Sequence, residues 1–140
     1  MKEVTIIRRE RFCSAHKLWN PEWDAQKNEE TFGGCSNPNW HGHNYELIVK
    51  VAGEIEPETG FVMNLKTLSK ILKNKVIDKL DHKNLNMDVD FLKDKRTTTE
   101  VVAVAIWEEI EDEIKNKGGK LISVRVNETE NNSVEYFGEK

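Results

Sequence analysis

The sequence predicts an α+β fold: a small antiparallel sheet with two helices on one face, in a single domain of residues 1–140. Three observations predict it. Apolar residues alternate with period two along a segment that begins near His41. They recur at three- and four-residue spacing in two later segments. The segments run strand, strand, helix, helix, strand, strand, which lets two amphipathic helices cover one side of a sheet.

The first segment, Lys2 to Ala15, reads as a long strand from its β-branched pairs Val4-Thr5 and Ile6-Ile7. Residues 20–40 are rich in Asn, Gly, Pro and acids and read as a loop, with room for a short helix near Trp23 to Glu30. Long loops inside compact domains tend to carry function. Gly42 to Ile55 is the second strand. His41, His43, Tyr45, Leu47, Val49 and Val51 fall on one face, and Asn44, Glu46 and Lys50 on the other, with Ile48 the exception. Pro57-Glu58-Thr59-Gly60 makes a turn.

Leu65 to Leu80 is the first main helix, with Leu65, Leu68, Leu72, Val76 and Leu80 on one stripe. Asp81 to Lys95 is polar and irregular. Thr97-Thr98-Thr99-Glu100 reads as a capping box with Thr97 as N-cap. The helix it starts carries Ala103, Ile106, Trp107, Ile110 and Ile114, a core stripe, and Gly118-Gly119 ends it. Lys120 to Thr129 is the third strand, Asn131-Asn132 a tight turn, and Ser133 to Phe137 the fourth strand.

Composition narrows the function classes. The chain is long enough for one ordinary core, with 37% apolar and 33% charged residues. A net charge of −4 gives no footprint for nucleic acid, although local basic residues can still bind an acidic small molecule. No run is long enough to span a membrane, and the N-terminus is strand-like and charged, so a cytoplasmic location is expected. Two cysteines, Cys13 and Cys35, make no disulfide scaffold.

The chemistry-bearing residues are few. His41 and His43, at i and i+2 of a strand, project from one face and can share a metal ion; two half-buried histidines with local hydrogen bonds is the competing reading. His16, at the end of the first strand, is the candidate third ligand. Three imidazoles without a fourth protein ligand is the pattern of a catalytic zinc site, which keeps one position open. Cys35 has two open roles, a fourth ligand closing a structural site or an accessible thiol beside the metal. Cys13, inside a strand, reads as a small packing residue.

Asp81-His82 is either an acid–base pair or ordinary polarity at a helix C-terminus. Glu128 continues the face of Ile122, Val124 and Val126; it either meets water at the rim or needs a partner, such as a guanidine-like edge with two parallel N–H donors. Lys70 to Lys79 and Glu108 to Lys117 read as solvated helix faces. Arg8, Arg9, Arg11 and Lys17 are phosphate candidates that alternation splits between faces.

Six segments in order resemble the 6-pyruvoyl-tetrahydropterin synthase family: Phe12-Cys13-Ser14-Ala15-His16, Cys35-Ser36-Asn37-Pro38-Asn39-Trp40-His41-Gly42-His43-Asn44-Tyr45, Gly60-Phe61-Val62-Met63-Asn64-Leu65, Leu80-Asp81-His82-Lys83-Asn84-Leu85, Thr98-Thr99-Glu100 and Glu128-Thr129-Glu130-Asn131-Asn132. The resemblance implies a tunnelling fold, a four-stranded antiparallel sheet with two helices. In that family three sheets close into a barrel and two trimers stack into a homohexamer with active sites between subunits. It implies zinc (Zn2+) on His16, His41 and His43, Cys35 as the catalytic thiol, and Asp81 and His82 as its partners in proton transfer. It also implies Glu128 as the pterin anchor, with Thr98 and Thr99 as further pterin contacts.

The implied substrate is 7,8-dihydroneopterin triphosphate, and the implied reaction is triphosphate elimination with side-chain tautomerisation. The alternative is the sister 6-carboxytetrahydropterin synthase of the queuosine route, which releases acetaldehyde from the same substrate. Five residues separate Cys35 from His41, a spacing that resembles the pyruvoyl enzymes. Two departures stand out: Cys13 where the family often has serine, and Trp40 where glycine is common.

Overall fold

A computed structural model describes residues 2–139 of the chain. In chain order the elements are β1 (Glu3–His16), α1 (Ala25–Phe32), β2 (His41–Glu54), α2 (Leu65–Leu72), β3 (Lys83–Asn84), α3 (Thr99–Asn116), β4 (Lys120–Asn127) and β5 (Ser133–Tyr136). They form one five-stranded sheet in the order β3-β1-β2-β4-β5.

The expectation of a four-stranded, wholly antiparallel sheet is corrected: β3 adds a fifth strand, parallel to Ser14 and Ala15 of β1. Two residues are too few to show any periodicity, which is why the sequence did not reveal it. A third helix, α1, lies in the loop between β1 and β2. Asp24 caps it, its carboxylate accepting the Lys27 N–H at 2.8 Å.

β1 and β2 pair antiparallel without interruption, from Glu3 opposite Glu54 to His16 opposite His41. This register sets the site, because it brings the last residue of one strand beside the first of the next. The predicted odd row of β2 faces inward, with Tyr45, Leu47, Val49 and Val51 buried. They share one core with Leu68 and Leu72 of α2, Ile106, Ile110 and Ile114 of α3, and Val124 and Val126 of β4. Each such aliphatic side chain contributes roughly 1.5–3 kcal/mol on burial. From β1 the even row faces inward, including the carboxylate of Glu10. That buried charge is compensated by the Arg8 Nε at 2.9 Å and the Ser69 hydroxyl at 2.7 Å.

The helix read at 65–80 is interrupted. Its first part, α2, passes into a π-helical turn at Lys73–Ile77 and a last short α-helical piece at Asp78–Leu80. The Leu80 carbonyl then accepts the Ser14 hydroxyl at 2.6 Å, docking the following residues against the end of β1.

The capping assignment is also corrected by one residue. Thr98, not Thr97, caps α3, its hydroxyl accepting the Val101 N–H at 3.2 Å. Thr97 is wholly buried and its groups are engaged elsewhere. Gly118, at φ +88°, takes the left-handed conformation that follows the helix. Among the described residues no helix is long and apolar enough to cross a membrane.

Candidate active site

The pairing of His16 with His41 brings three imidazoles together at one end of the β1–β2 ladder. The ligand atoms of His16, His41 and His43 all lie within 4.8 Å of one another. Ring centroids are 4.4 Å apart for His16–His41, 5.0 Å for His41–His43 and 5.2 Å for His16–His43. Among the described residues this metal-sized group consists of the three histidines, without Cys35.

The hydrogen bonding fits a metal. His16 Nδ1 lies 2.8 Å from the Thr97 carbonyl, while its Nε2 is buried with no partner among the described residues. Both ring nitrogens of His41 are likewise buried and unpartnered. Buried polar atoms without partners cost free energy, and a cation shared with His43 is one way to use a lone pair from each of these two rings. Burial pushes the pKa of His16 down, and the neighbouring His41 and His43 push the same way, against the Thr97 carbonyl and Glu128. Burial, then His43, lowers that of His41. Both effects favour neutral imidazole, the form that binds metal.

Cys35 lies in a 3-10 turn, Gly33–Ser36, and is partly exposed. Its carbonyl accepts the Leu18 N–H at 2.7 Å, which ties the turn to the chain just beyond His16. Tyr45 follows His43 on the inward row of β2, its ring centroid 5.5 Å from that of His43. Its phenol pKa is raised mainly by burial, with smaller contributions from the charges of Glu128 and Cys35. The Tyr45 hydroxyl is buried without a protein partner among the described residues. The sequence put Tyr45 on the histidine face of β2 but did not mark it as a site residue.

Glu128 lies just past β4 and does have a partner: its Oε2 accepts the Thr99 hydroxyl at 2.7 Å. Thr98 and Thr99, at the start of α3, line a cleft with Cys35 and Glu128. Asp81 and His82 line a different one, with Cys13, His43 and Glu128. Within a single chain, then, the thiol and the Asp81–His82 pair face separate cavities that share Glu128.

The Asp81–His82 pair has its own geometry. Asp81 Oδ1 accepts the Cys13 N–H at 2.8 Å, and Oδ2 lies 3.6 Å from His82 Nε2. His82 adopts φ +60°, an uncommon conformation for a residue with a side chain. The His82 N–H donates to the Cys13 carbonyl at 2.7 Å, and its ring is largely exposed.

Cys13 is not the small packing residue that the sequence suggested. It is exposed, because the inward row of β1 consists of even positions. Arg8 is paired with Glu10, and Arg9 and Arg11 with Glu46. The Lys17 ammonium lies over Trp40 at 4.7 Å and Trp19 at 5.5 Å from the ring centroids. Trp40 holds φ +67°, where glycine would be less strained.

The chain is similar to known proteins over nearly its whole length. The family model described as 6-pyruvoyl tetrahydropterin synthase matches residues 5–139. A human protein named 6-pyruvoyl tetrahydrobiopterin synthase is 44% identical over 137 residues, covering 98% of this chain and 93% of its own. The structure of Caenorhabditis elegans 6-pyruvoyl tetrahydropterin synthase superposes with a TM-score of 0.92 at 39% identity, covering 99% of this chain and 98% of its own. A Bacillus subtilis protein named 6-carboxy-5,6,7,8-tetrahydropterin synthase is 36% identical over 106 residues, covering only 71% of this chain and 68% of its own.

Proposed function

The chain belongs to the 6-pyruvoyl tetrahydropterin synthase family, and from that premise we propose that it is a zinc-dependent lyase eliminating triphosphate from 7,8-dihydroneopterin triphosphate to give 6-pyruvoyl-tetrahydropterin. The observation that carries the reading is the group of three imidazoles whose ligand atoms lie within 4.8 Å of one another, with burial favouring the neutral form of His16 and His41 and leaving nitrogens of both unpartnered among the described residues.

His16, His41 and His43 hold the ion, and Cys35 is left outside the ligand set. A zinc ion bound there supplies Lewis-acid polarisation of the substrate's side-chain oxygens. Cys35, as thiolate, takes a proton from the side chain. Asp81 orients the His82 imidazole, and the pair relays a second proton. Glu128 anchors the pterin by accepting the 2-amino and ring N–H donors side by side. The Thr99 hydroxyl steadies that carboxylate, and Thr98 contributes at the start of α3. The exposed ring of His82, backed by the partly buried Asp81, is free to move protons with solvent and with a neighbouring copy.

Assembly is part of the proposal. Among the described residues the Glu3–Phe12 stretch of β1 has no strand partner on its β3 side, and β5 forms the other edge of the sheet. Open edges of this kind favour pairing with further copies. Three sheets close into a barrel and two trimers stack into a homohexamer, with Cys35 of one subunit meeting the Asp81–His82 pair of another. The separate cavities of Cys35 and His82 in one chain support this arrangement. Two free thiols support a cytoplasmic location.

The test is incubation of the zinc-loaded protein with 7,8-dihydroneopterin triphosphate and mass analysis of the products. The expected result is inorganic triphosphate and 6-pyruvoyl-tetrahydropterin without acetaldehyde. Stoichiometric acetaldehyde would assign the chain to the carboxy-forming chemistry, and unconsumed substrate would overturn the reading.

A further inference from the structure

We propose that Asn86, through Thr97, is a positioning residue of the metal centre, fixing the orientation and tautomer of His16; this rests on reading the three histidines as metal ligands. Asn86 lies in the loop after β3 and touches none of them directly. Its influence runs through main chain.

The path starts at His16. A carbonyl oxygen only accepts hydrogen bonds, so the 2.8 Å contact with the Thr97 carbonyl puts the proton on His16 Nδ1. In a neutral ring that leaves the lone pair on Nε2, the nitrogen with no partner. Ligand histidines commonly have their second nitrogen held by a carbonyl or carboxylate, and this holding partner affects metal affinity. The position of the Thr97 carbonyl therefore determines where His16 Nε2 points.

The Thr97 side chain is itself held. Its hydroxyl lies 3.1 Å from Asn86 Oδ1 and 3.3 Å from the Lys17 carbonyl. The Asn86 carboxamide then grips both main-chain groups of Lys17, the residue after His16. Its Oδ1 accepts the Lys17 N–H at 3.0 Å and its Nδ2 donates to the Lys17 carbonyl at 3.0 Å. The side chain thus acts as one more strand residue. β3 pairs with Ser14 and Ala15, Leu85 N–H donates to the Ala15 carbonyl at 2.8 Å, and the Asn86 amide carries the pattern on to Lys17.

The loop that presents it is fixed by side-chain turns. Asn84 Oδ1 accepts the Asn86 N–H at 2.9 Å, and Asp88 Oδ2 accepts the Asn84 N–H at 3.0 Å. One exposed amide consequently links the end of β1, the loop that follows His82, and the entry to α3 where Thr99 meets Glu128. Being exposed, it can be changed without opening a cavity in the core.

The experiment measures zinc affinity of the metal-stripped protein by competition with a chromophoric chelator, together with the nitrogen-15 shifts of the His16 ring in the metal-free state. Asn86→Ala is expected to weaken zinc binding about 10-fold and to mix the two His16 tautomers. Asn86→Asp keeps both acceptor contacts, including the one to the Thr97 hydroxyl, but loses the donor to the Lys17 carbonyl; it is expected to weaken zinc binding less than Asn86→Ala and to retain the Nδ1–H tautomer. Ser69→Ala, which loses a hydrogen bond to Glu10 in the body of the sheet, serves as the stability control and should keep full affinity.

Unchanged affinity and tautomer in Asn86→Ala would overturn the proposal. So would an equal loss in Ser69→Ala. If Asn86→Ala does not fold, an Asn86→Asp protein showing mixed tautomers would overturn it, and one retaining the Nδ1–H form would support it. Failure of the parent chain to bind zinc would overturn the metal reading alone, and the tautomer measurement would still decide whether Asn86 orients His16.

Discussion

The inward row of β2 has two halves with opposite character. Tyr45, Leu47, Val49 and Val51 are wholly buried, and the three aliphatic ones have no polar side-chain atom to satisfy. At the other end of the same row, His41 and His43 are only partly buried, and the His41 nitrogens have no hydrogen-bond partner. One period-two pattern serves both halves. In the first it builds a core, where shape and volume decide stability. In the second it presents lone pairs that the protein itself leaves unused. The outer row shows a third outcome: Arg9 and Arg11 pair with Glu46, and Lys50 and Arg125 with Glu135. Paired polar groups hold the sheet together, and unpaired ones mark where it does chemistry.

The contrast can be broken or sharpened by substitution. The largest effect is expected at Cys35: Cys35→Ala should lower turnover by about 10²- to 10⁴-fold, the range for losing a general base, while zinc content measured by atomic emission stays at the parent level. A loss of zinc in that variant would instead put the thiol among the ligands. Next is His41→Ala, which should abolish zinc retention through gel filtration while leaving a folded protein by circular dichroism, because the ring meets the other imidazoles, tilted against His16 and edge-on to His43, and is not part of the hydrophobic core.

Leu47→Ala, three positions beyond Asn44 on the same strand, should do the reverse. A fully buried leucine removed from a packed core costs about 2–5 kcal/mol in denaturant unfolding, with zinc stoichiometry unchanged.

The smallest effect tests the outer row. Glu135 has its pKa lowered, first by the Ser123 hydroxyl at 2.7 Å and then by Lys50 and Arg125. A carboxylate whose folded pKa is depressed adds stability above its unfolded pKa, and loses it as the pH falls through the folded value. Ser123→Ala should therefore move the Glu135 titration, followed by carbon-detected NMR, upward toward the ordinary glutamate range. An unmoved titration would show that Lys50 and Arg125 hold the carboxylate without the hydroxyl.

Much of this arrangement was legible in the chain. The alternation from His41 to Val51 announces one face, and the histidines and the core share it. The helical stripes of 65–80 and of α3 were equally clear, because long periodic segments average over local exceptions; Leu65, placed on the first stripe, is exposed, while Leu68, Leu72, Val76 and Leu80 are buried. Short-range features were not. β3 exists because Leu80 and His82 dock on β1, a tertiary cause with no local pattern. Thr97 resembles an N-cap as well as Thr98 does, and only its burial under His16 decides between them. Cys13 was misjudged because nothing in the β1 sequence tells which row faces inward: Ile7 and Cys13 point out while Arg8 and Glu10 lie on the inward row. The contact between Asp81 and His82 depends on the left-handed turn at His82, which its side chain does not favour and the sequence does not signal.

X-ray absorption at the zinc edge of the zinc-loaded protein decides whether His16, His41 and His43 hold the ion without Cys35. Three imidazole nitrogens and one exchangeable oxygen ligand are expected around the ion, with no sulfur, and a change in that oxygen shell when substrate is added. A zinc–sulfur scattering path, or fewer than three imidazoles, would contradict this ligand set.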